Sequence, residues 1–172
     1  MERGLVQVYT GEGKGKTTAA LGLALRACGQ GLKVFLAQFA KRGNYGELAA
    51  LAHLADRIKI RQYGREQFIR GEPTAEDAAL ARRGWSEVQE VAARGDLDLL
   101  ILDEIGIALH YRMLTLEEVC RFVREKPRSL ELVLTGRRIP QELFELADLV
   151  TEMRAIKHYF TRGVQGRKGI EY

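Results

Sequence analysis

Thr10-Gly11-Glu12-Gly13-Lys14-Gly15-Lys16-Thr17-Thr18 holds the residue types needed to grip a chain of phosphates. Glycines allow backbone angles that turn several N–H groups toward one anion. The amino end of a following helix adds a favourable dipole. Lys16 would place a compact positive charge among phosphate oxygens, and Thr17 would offer a hydroxyl to Mg²⁺. The phosphate-loop pattern wants glycine, four residues, then Gly-Lys-Ser/Thr. Gly15-Lys16-Thr17 fits it, but Thr10 stands at the leading position and the glycine comes one place later.

Asp103-Glu104 follows the apolar run Leu99-Leu100-Ile101-Leu102. A carboxylate at the end of a buried strand reads as a metal-holding acid beside the loop, and either member of the pair could bind directly or through water. The same pair suits activation of water, which makes hydrolysis the rival chemistry. Thr135-Gly136-Arg137-Arg138 ends another apolar run and should reach the same rim. There an arginine's planar fork could hold phosphate.

These groups need elements to carry them. Leu5 to Tyr9 reads as a buried first strand, and Thr17 to Cys28, apolar nearly all round, as a helix closed by Gly29 and Gly31. Val34–Ala37 and Ile58–Tyr63 read as strands, with a short helix near Glu47 to Leu54 between them. Thr74 with Asp77 forms a capping box for a long helix whose stripe is Ala78, Ala81, Trp85, Val88 and Ala92. Thr115 and Glu118 open the next helix, lined by Leu116, Val119, Cys120 and Val123. Leu130–Thr135 is a strand, Pro140 suits the first position of a short helix to Ala147, and Leu149–Thr151 is a last strand. The tail from Met153 shows no periodicity. This alternation predicts an α/β fold, a mostly parallel sheet flanked by helices on both faces, in one domain over residues 1–172. Ligands in such sheets bind at the carboxyl ends of the strands.

Apolar residues make up 46% and charged residues 29%, the mix of a soluble globular protein. No apolar run approaches the ~20 residues of a membrane span, and the start lacks the form of a signal peptide, so a cytoplasmic protein with no membrane partner is expected. Cys28 and Cys120 are far apart and fall on apolar helix faces, as buried free thiols do. The net charge of +4 is mild and no Lys/Arg block forms a tail, which disfavours a nucleic-acid partner.

Taken together, the motifs resemble the corrinoid adenosyltransferases built on a phosphate-loop (P-loop NTPase, RecA-like) fold. The loop through Ala20 resembles that family's form, in which Thr also leads. Leu102-Asp103-Glu104 and Leu134-Thr135-Gly136-Arg137 are similar to its acidic strand end and its Thr-Gly-Arg motif. Ala147 to Arg154, Lys157-His158, Gly163-Val164 and Gly169-Ile170-Glu171-Tyr172 look like its C-terminal signature. The resemblance implies attack of a reduced cob(I) corrinoid on the 5′ carbon of ATP, with tripolyphosphate leaving. It further implies that residues 10–18 cradle the nucleotide, that Lys16 and Arg137 bind phosphate, and that Thr17, Asp103 and Glu104 serve Mg²⁺ or Mn²⁺, with Lys16, Glu104 and Arg137 catalytic. Glu12 stands where some relatives carry Asn, and Arg26 matches an arginine behind the loop. An electron-donating flavoprotein and a homodimer are implied in the same way. Some relatives carry Phe-Thr-Trp after the third strand. Here Tyr63-Gly64-Arg65-Glu66-Gln67-Phe68-Ile69-Arg70 stands instead, leaving Phe68, Tyr63 and His158 as the residues expected to face the corrin. Trp85 is expected in the core, and His53 and His110 are assigned nothing. A general ATPase and a non-catalytic nucleotide-binding module remain the alternatives.

Overall fold

Alternation of strand and helix runs through the whole computed structural model, which describes residues 2–67, 69 and 71–171. The elements are β1 (Val6–Thr10), α1 (Lys16–Gly29), β2 (Val34–Phe39), α2 (Gly46–Leu51), β3 (Ile58–Tyr63), α3 (Ala75–Ala93), β4 (Leu99–Asp103), α4 (Ile105–His110), α5 (Leu116–Glu125), β5 (Glu131–Thr135), α6 (Gln141–Leu146) and β6 (Leu149–Glu152). The strands form one sheet in the order β3-β2-β4-β5-β1-β6, every neighbouring pair parallel. Parallel strands need crossovers, and the helices supply them. β5 lies between the strand leading into the loop and the strand ending in Asp103.

The pleat divides each strand between two cores. Leu36, Leu99, Ile101 and Val133 pack on Ala20, Ala24 and Ala27 of α1 and on Leu51 of α2. Phe35, Ala37, Leu100, Leu102, Leu132 and Leu134 pack in the other layer with Ala81, Trp85 and Val88 of α3, Val119 of α5 and Leu143 of α6. Alanines on α1 let that helix sit close to the sheet, which draws its amino end, and the loop before it, over the strand ends. Helices therefore cover both faces, as the α/β reading expects.

Local signals decide several boundaries. Both capping boxes form: Thr74 accepts from the Asp77 amide while the Asp77 carboxylate accepts from Thr74, and Thr115 and Glu118 repeat the exchange. Each cap contributes about 1 kcal/mol. Arg65, in the loop after β3, makes two bonds of 2.8 Å to Asp77, and its guanidinium holds that carboxyl down at about 2. Trp85 is core, packed edge-on against Phe122, and both cysteines are buried and free.

Three features differ from the expectation. α4 is a helix that the residues between Glu104 and Thr115 do not announce, since it is short, apolar and uncapped by a side chain. Glu104 enters it through a left-handed turn, with φ of 57°. Pro140 is the N-cap of α6 rather than its first helical residue. The tail, which has no periodic signal, folds a 3-10 turn at Tyr159–Arg162 and lies against the loop.

Candidate active site

One row of polar side chains crosses the sheet on its α1 face. Gln62 of β3 and Asp103 of β4 both stand in register with Gln38 of β2. By the pleat, Gln62, Gln38, Asp103 and Thr135 share a face with Ile60, Leu36, Ile101 and Val133. The Gln62 amide donates to Gln38 Oε1 at 3.0 Å, and the Gln38 amide donates to Asp103 Oδ2 at 3.1 Å. Asp103 Oδ1 accepts from Thr135 at 2.6 Å and from Thr17, the second residue of α1, at 2.9 Å. The Glu104 amide donates to Thr135 Oγ1 at 3.1 Å. Asp103, Gln38 and Thr135 are each fully buried. This network ties the first turn of α1 to the ends of four strands. It fixes the Thr17 hydroxyl against Asp103.

The loop is braced from behind by the end of β6. The Gly13 amide donates to Met153 O at 2.6 Å, and the Met153 amide donates to Thr10 O at 2.8 Å. A Cβ on Gly13 would fall 2.6 Å from Met153 O, and one on Gly11, whose φ is 97°, would fall 2.5 Å from it. The glycine displaced by one place is therefore required by the approach of β6. Lys16 is buried and its ammonium donates to Gly11 O at 2.6 Å and to Gly13 O at 2.8 Å. Burial lowers its pKa, opposed by the charge of Glu104.

Glu104 differs sharply from its neighbour. Asp103 has both oxygens engaged, whereas Glu104 Oε2 is buried with no hydrogen-bond partner among the described residues. Burial pushes the Glu104 carboxyl up, as does the charge of Asp103, while Lys16, Lys41 and Arg137 pull it down. A buried, unpartnered oxygen of this kind is costly unless a cation or proton meets it. It is the feature that fits a divalent ion. Among the described residues no group of three His, Cys, Asp or Glu side chains could hold an ion by itself. A magnesium ion would instead take most of its oxygens from water and phosphate.

A cavity of about 460 Å³ opens over these groups. Its wall includes Gly13 to Thr18 of the loop, Glu104, Arg137 and His158. Arg137 reaches it from the turn after β5, which lies so close to α4 that a Cβ on Gly106 would sit 2.2 Å from Arg137 O. Its guanidinium pairs with Glu12 at 3.4 Å, both largely exposed. Arg138 points elsewhere, to His110 Nε2 at 2.6 Å. Thr10, Gly11, Glu12 and Asp103 lie behind or beside the cavity rather than on its wall.

The tail supplies the rest. Tyr159, Ile170 and Glu171 line the cavity, and Lys14 donates to Glu171 Oε1 at 2.8 Å, to Tyr159 Oη at 3.0 Å and to Ile170 O at 3.1 Å. His158 lies on the wall, where its Nδ1 accepts from the Phe160 amide.

Of the residues expected to face the corrin, Tyr63 does not reach the cavity. Its side chain is 2% exposed, packs against Phe39, and donates to Glu87 at 2.8 Å. The pleat explains this, since Tyr63 follows Gln62 and so faces α3, not α1. Phe68 lies outside the described residues. Sequence reading missed Gln38, Gln62, Lys41 and Tyr159. The only available signal was polar Gln38 within the otherwise apolar run of β2.

Residues 2–172 match the family model described as ATP:corrinoid adenosyltransferase BtuR/CobO/CobP. A corrinoid adenosyltransferase of Escherichia coli is 38% identical over 173 residues, which cover 99% of this chain and 87% of that protein. One from a Sinorhizobium species is 37% identical over 174 residues, covering 99% and 81%. Another, from Pseudomonas aeruginosa, is 34% identical over 172 residues, covering 99% and 85%. With the match running almost end to end, and with loop, acidic pair and Arg137 gathered at the ends of a parallel sheet, the chain belongs to the ATP:corrinoid adenosyltransferase family.

Proposed function

We propose that this enzyme transfers the 5′-deoxyadenosyl group of ATP to the cobalt of a reduced cob(I) corrinoid in cobalamin biosynthesis or salvage. A cobalt electron pair forms the bond to C5′, the C5′–O bond breaks, and its electron pair leaves on tripolyphosphate. The observation that carries the reading is Glu104 Oε2, buried and unpartnered on the wall of a cavity that also holds Lys16, Thr17 and Arg137.

The nucleophile is the substrate's own metal, so no residue need act as general base. What the chain must supply is stabilisation of a leaving group whose negative charge grows as it departs. Loop amides and Lys16 hold the phosphate chain, and Arg137 closes on it from the rim. Thr17 and Glu104 would hold the divalent ion, Mg²⁺ or Mn²⁺. Asp103, which accepts from Gln38, Thr17 and Thr135, orients the Thr17 hydroxyl and would add its negative charge beside the ion. When bound, that ion would polarise phosphate oxygens and offset their charge. His158 and Phe68 remain the candidates for contact with the corrin. A homodimer, a reducing flavoprotein and a cytoplasmic location accompany this reading. Among the described residues no helix is long and apolar enough to cross a membrane.

The test is incubation with ATP, Mg²⁺ and a chemically reduced corrinoid, following the visible spectrum and the phosphate products. Adenosylcorrinoid with intact tripolyphosphate is expected. Corrinoid-independent release of orthophosphate with no adenosylated product would instead make the protein an ATPase.

A further inference from the structure

The cavity wall carries a further cation, Lys41, besides Lys14, Lys16 and Arg137. Lys41 follows β2, just after Ala40 takes a left-handed φ of 51°. That turn is clamped from β3. The Ala40 amide donates to Tyr63 O at 3.0 Å, and a Cβ on Gly64 would sit 2.2 Å from the Lys41 nitrogen. The backbone of Lys41 is thus fixed by two strands, unlike that of a lysine on a free loop. Its side chain is 17% exposed, with the ammonium 4.0 Å from the centre of the Tyr45 ring and 3.6 Å from Glu47. Lys41 and Glu47 both line the cavity of the phosphate loop. Sheet order puts β4, and with it Glu104, between the strand that carries Lys41 and the strand that carries the loop.

We propose that Lys41 is a further phosphate-binding residue. Resting on the transfer reading, its ammonium meets the polyphosphate from the β2 side of Glu104, while the loop and Lys16 hold it from the β1 side. The Tyr45 ring aims the ammonium by a cation–π contact. Glu47 occupies it as a stand-in anion that phosphate displaces. Lys14 is less suited to the task, because Glu171, Tyr159 and the Ile170 carbonyl already hold its ammonium. Breaking the C5′–O bond leaves an added electron pair on the departing oxygen. A fixed cation therefore binds the product polyphosphate more strongly than the triphosphate ester and favours the transition state.

The experiment is calorimetric titration of the full chain with tripolyphosphate in Mg²⁺, alongside steady-state transfer. Lys41→Met should weaken tripolyphosphate by at least ~10-fold, the scale of one charge-assisted hydrogen bond. It should also lower kcat for transfer more than it raises KM for ATP. Lys41→Arg should return binding to within ~3-fold of the wild type, since charge and reach are kept. Glu47→Gln should tighten binding by removing the competing carboxylate. Should Lys41→Met melt early, the Arg and Glu47 variants still carry the test. Wild-type affinity in a folded Lys41→Met, or weaker binding in Glu47→Gln, overturns the proposal and leaves the transfer reading intact. A wild type that binds tripolyphosphate but makes no adenosylcorrinoid sinks the transfer reading alone, and one that binds no tripolyphosphate sinks both.

Discussion

The polar row behind the cavity, which is the floor of the site, and the tail-side wall are built on opposite principles. The floor is the row Gln62-Gln38-Asp103-Thr135, half-buried at Gln62 and buried beyond it, locked by hydrogen bonds of 2.6–3.1 Å and set by strand register. The tail side is exposed and rests on ionic contacts: Lys14 to Glu171, Arg167 to Glu171, and a short hydrogen bond from Tyr159 to Glu171. Buried networks hold geometry because each lost partner strands another polar group. Exposed ion pairs are weak and screened by salt. The contrast suits a reaction with one small, precisely held reactant and one bulky reactant that must enter and leave.

Substitutions should separate the two regions, the floor giving the large effects. Lys16→Ala should cut turnover by at least ~10²-fold, the scale for losing a principal electrostatic stabiliser. Steady-state transfer at saturating ATP measures it, and wild-type turnover would remove the loop from the mechanism. Gln38→Leu touches no substrate. It should nevertheless raise the Mg²⁺ concentration needed for half-maximal rate by ~10-fold or more, as loss of support behind metal ligands does. An unchanged metal requirement would reduce the row to packing.

Glu104→Gln should abolish transfer yet stabilise the protein assayed without nucleotide or metal. The Glu104 carboxyl is raised by burial, so its folded form takes up a proton more readily than the unfolded chain does. That contribution is full below the ordinary carboxylate range and is lost as pH rises through the raised value. Near neutrality the charged side chain therefore costs stability that the amide does not. The melting temperature should rise by a few degrees, at roughly 2–4 °C per kcal/mol for a chain of this size. The gain should vanish in acid. Equal gains at all pH values would contradict the assignment. Smallest should be the tail: Glu171→Gln should change KM for ATP by less than ~5-fold, an effect that moderate salt mimics in the wild type. A large, salt-independent loss would mean that the tail is as rigid as the floor.

Much of this was legible in the residues, for identifiable reasons. The loop, the capping boxes and the apolar strands are local signals, and each element they predict is present. Lys16, Thr17, Glu104 and Arg137 meet because strands end where such sequences place them. Long-range register was not legible. Gln38 gains its meaning only from standing opposite Asp103, which is 65 residues away. The contact of Lys14 with Glu171 spans 157 residues. Tyr63 went astray for the same reason, since an aromatic residue at a strand end can face either layer and only the parity of its neighbours decides which. Helix α4 was hidden because a short, mostly apolar segment with no side-chain cap resembles a strand as much as a helix.

A carboxamide gives only through its nitrogen and receives only through its oxygen. The relay ends on a carboxylate at one side and, through Gln62, on the Gly43 amide at the other, which donates at 3.2 Å. It therefore has a single orientation, with no mobile proton in it. Exchanging one atom, Gln38→Glu, would set two carboxylates face to face and trap a proton between them. Metal loading would then acquire a second acid–base titration beside that of Glu104, one that the natural carboxamide spares it.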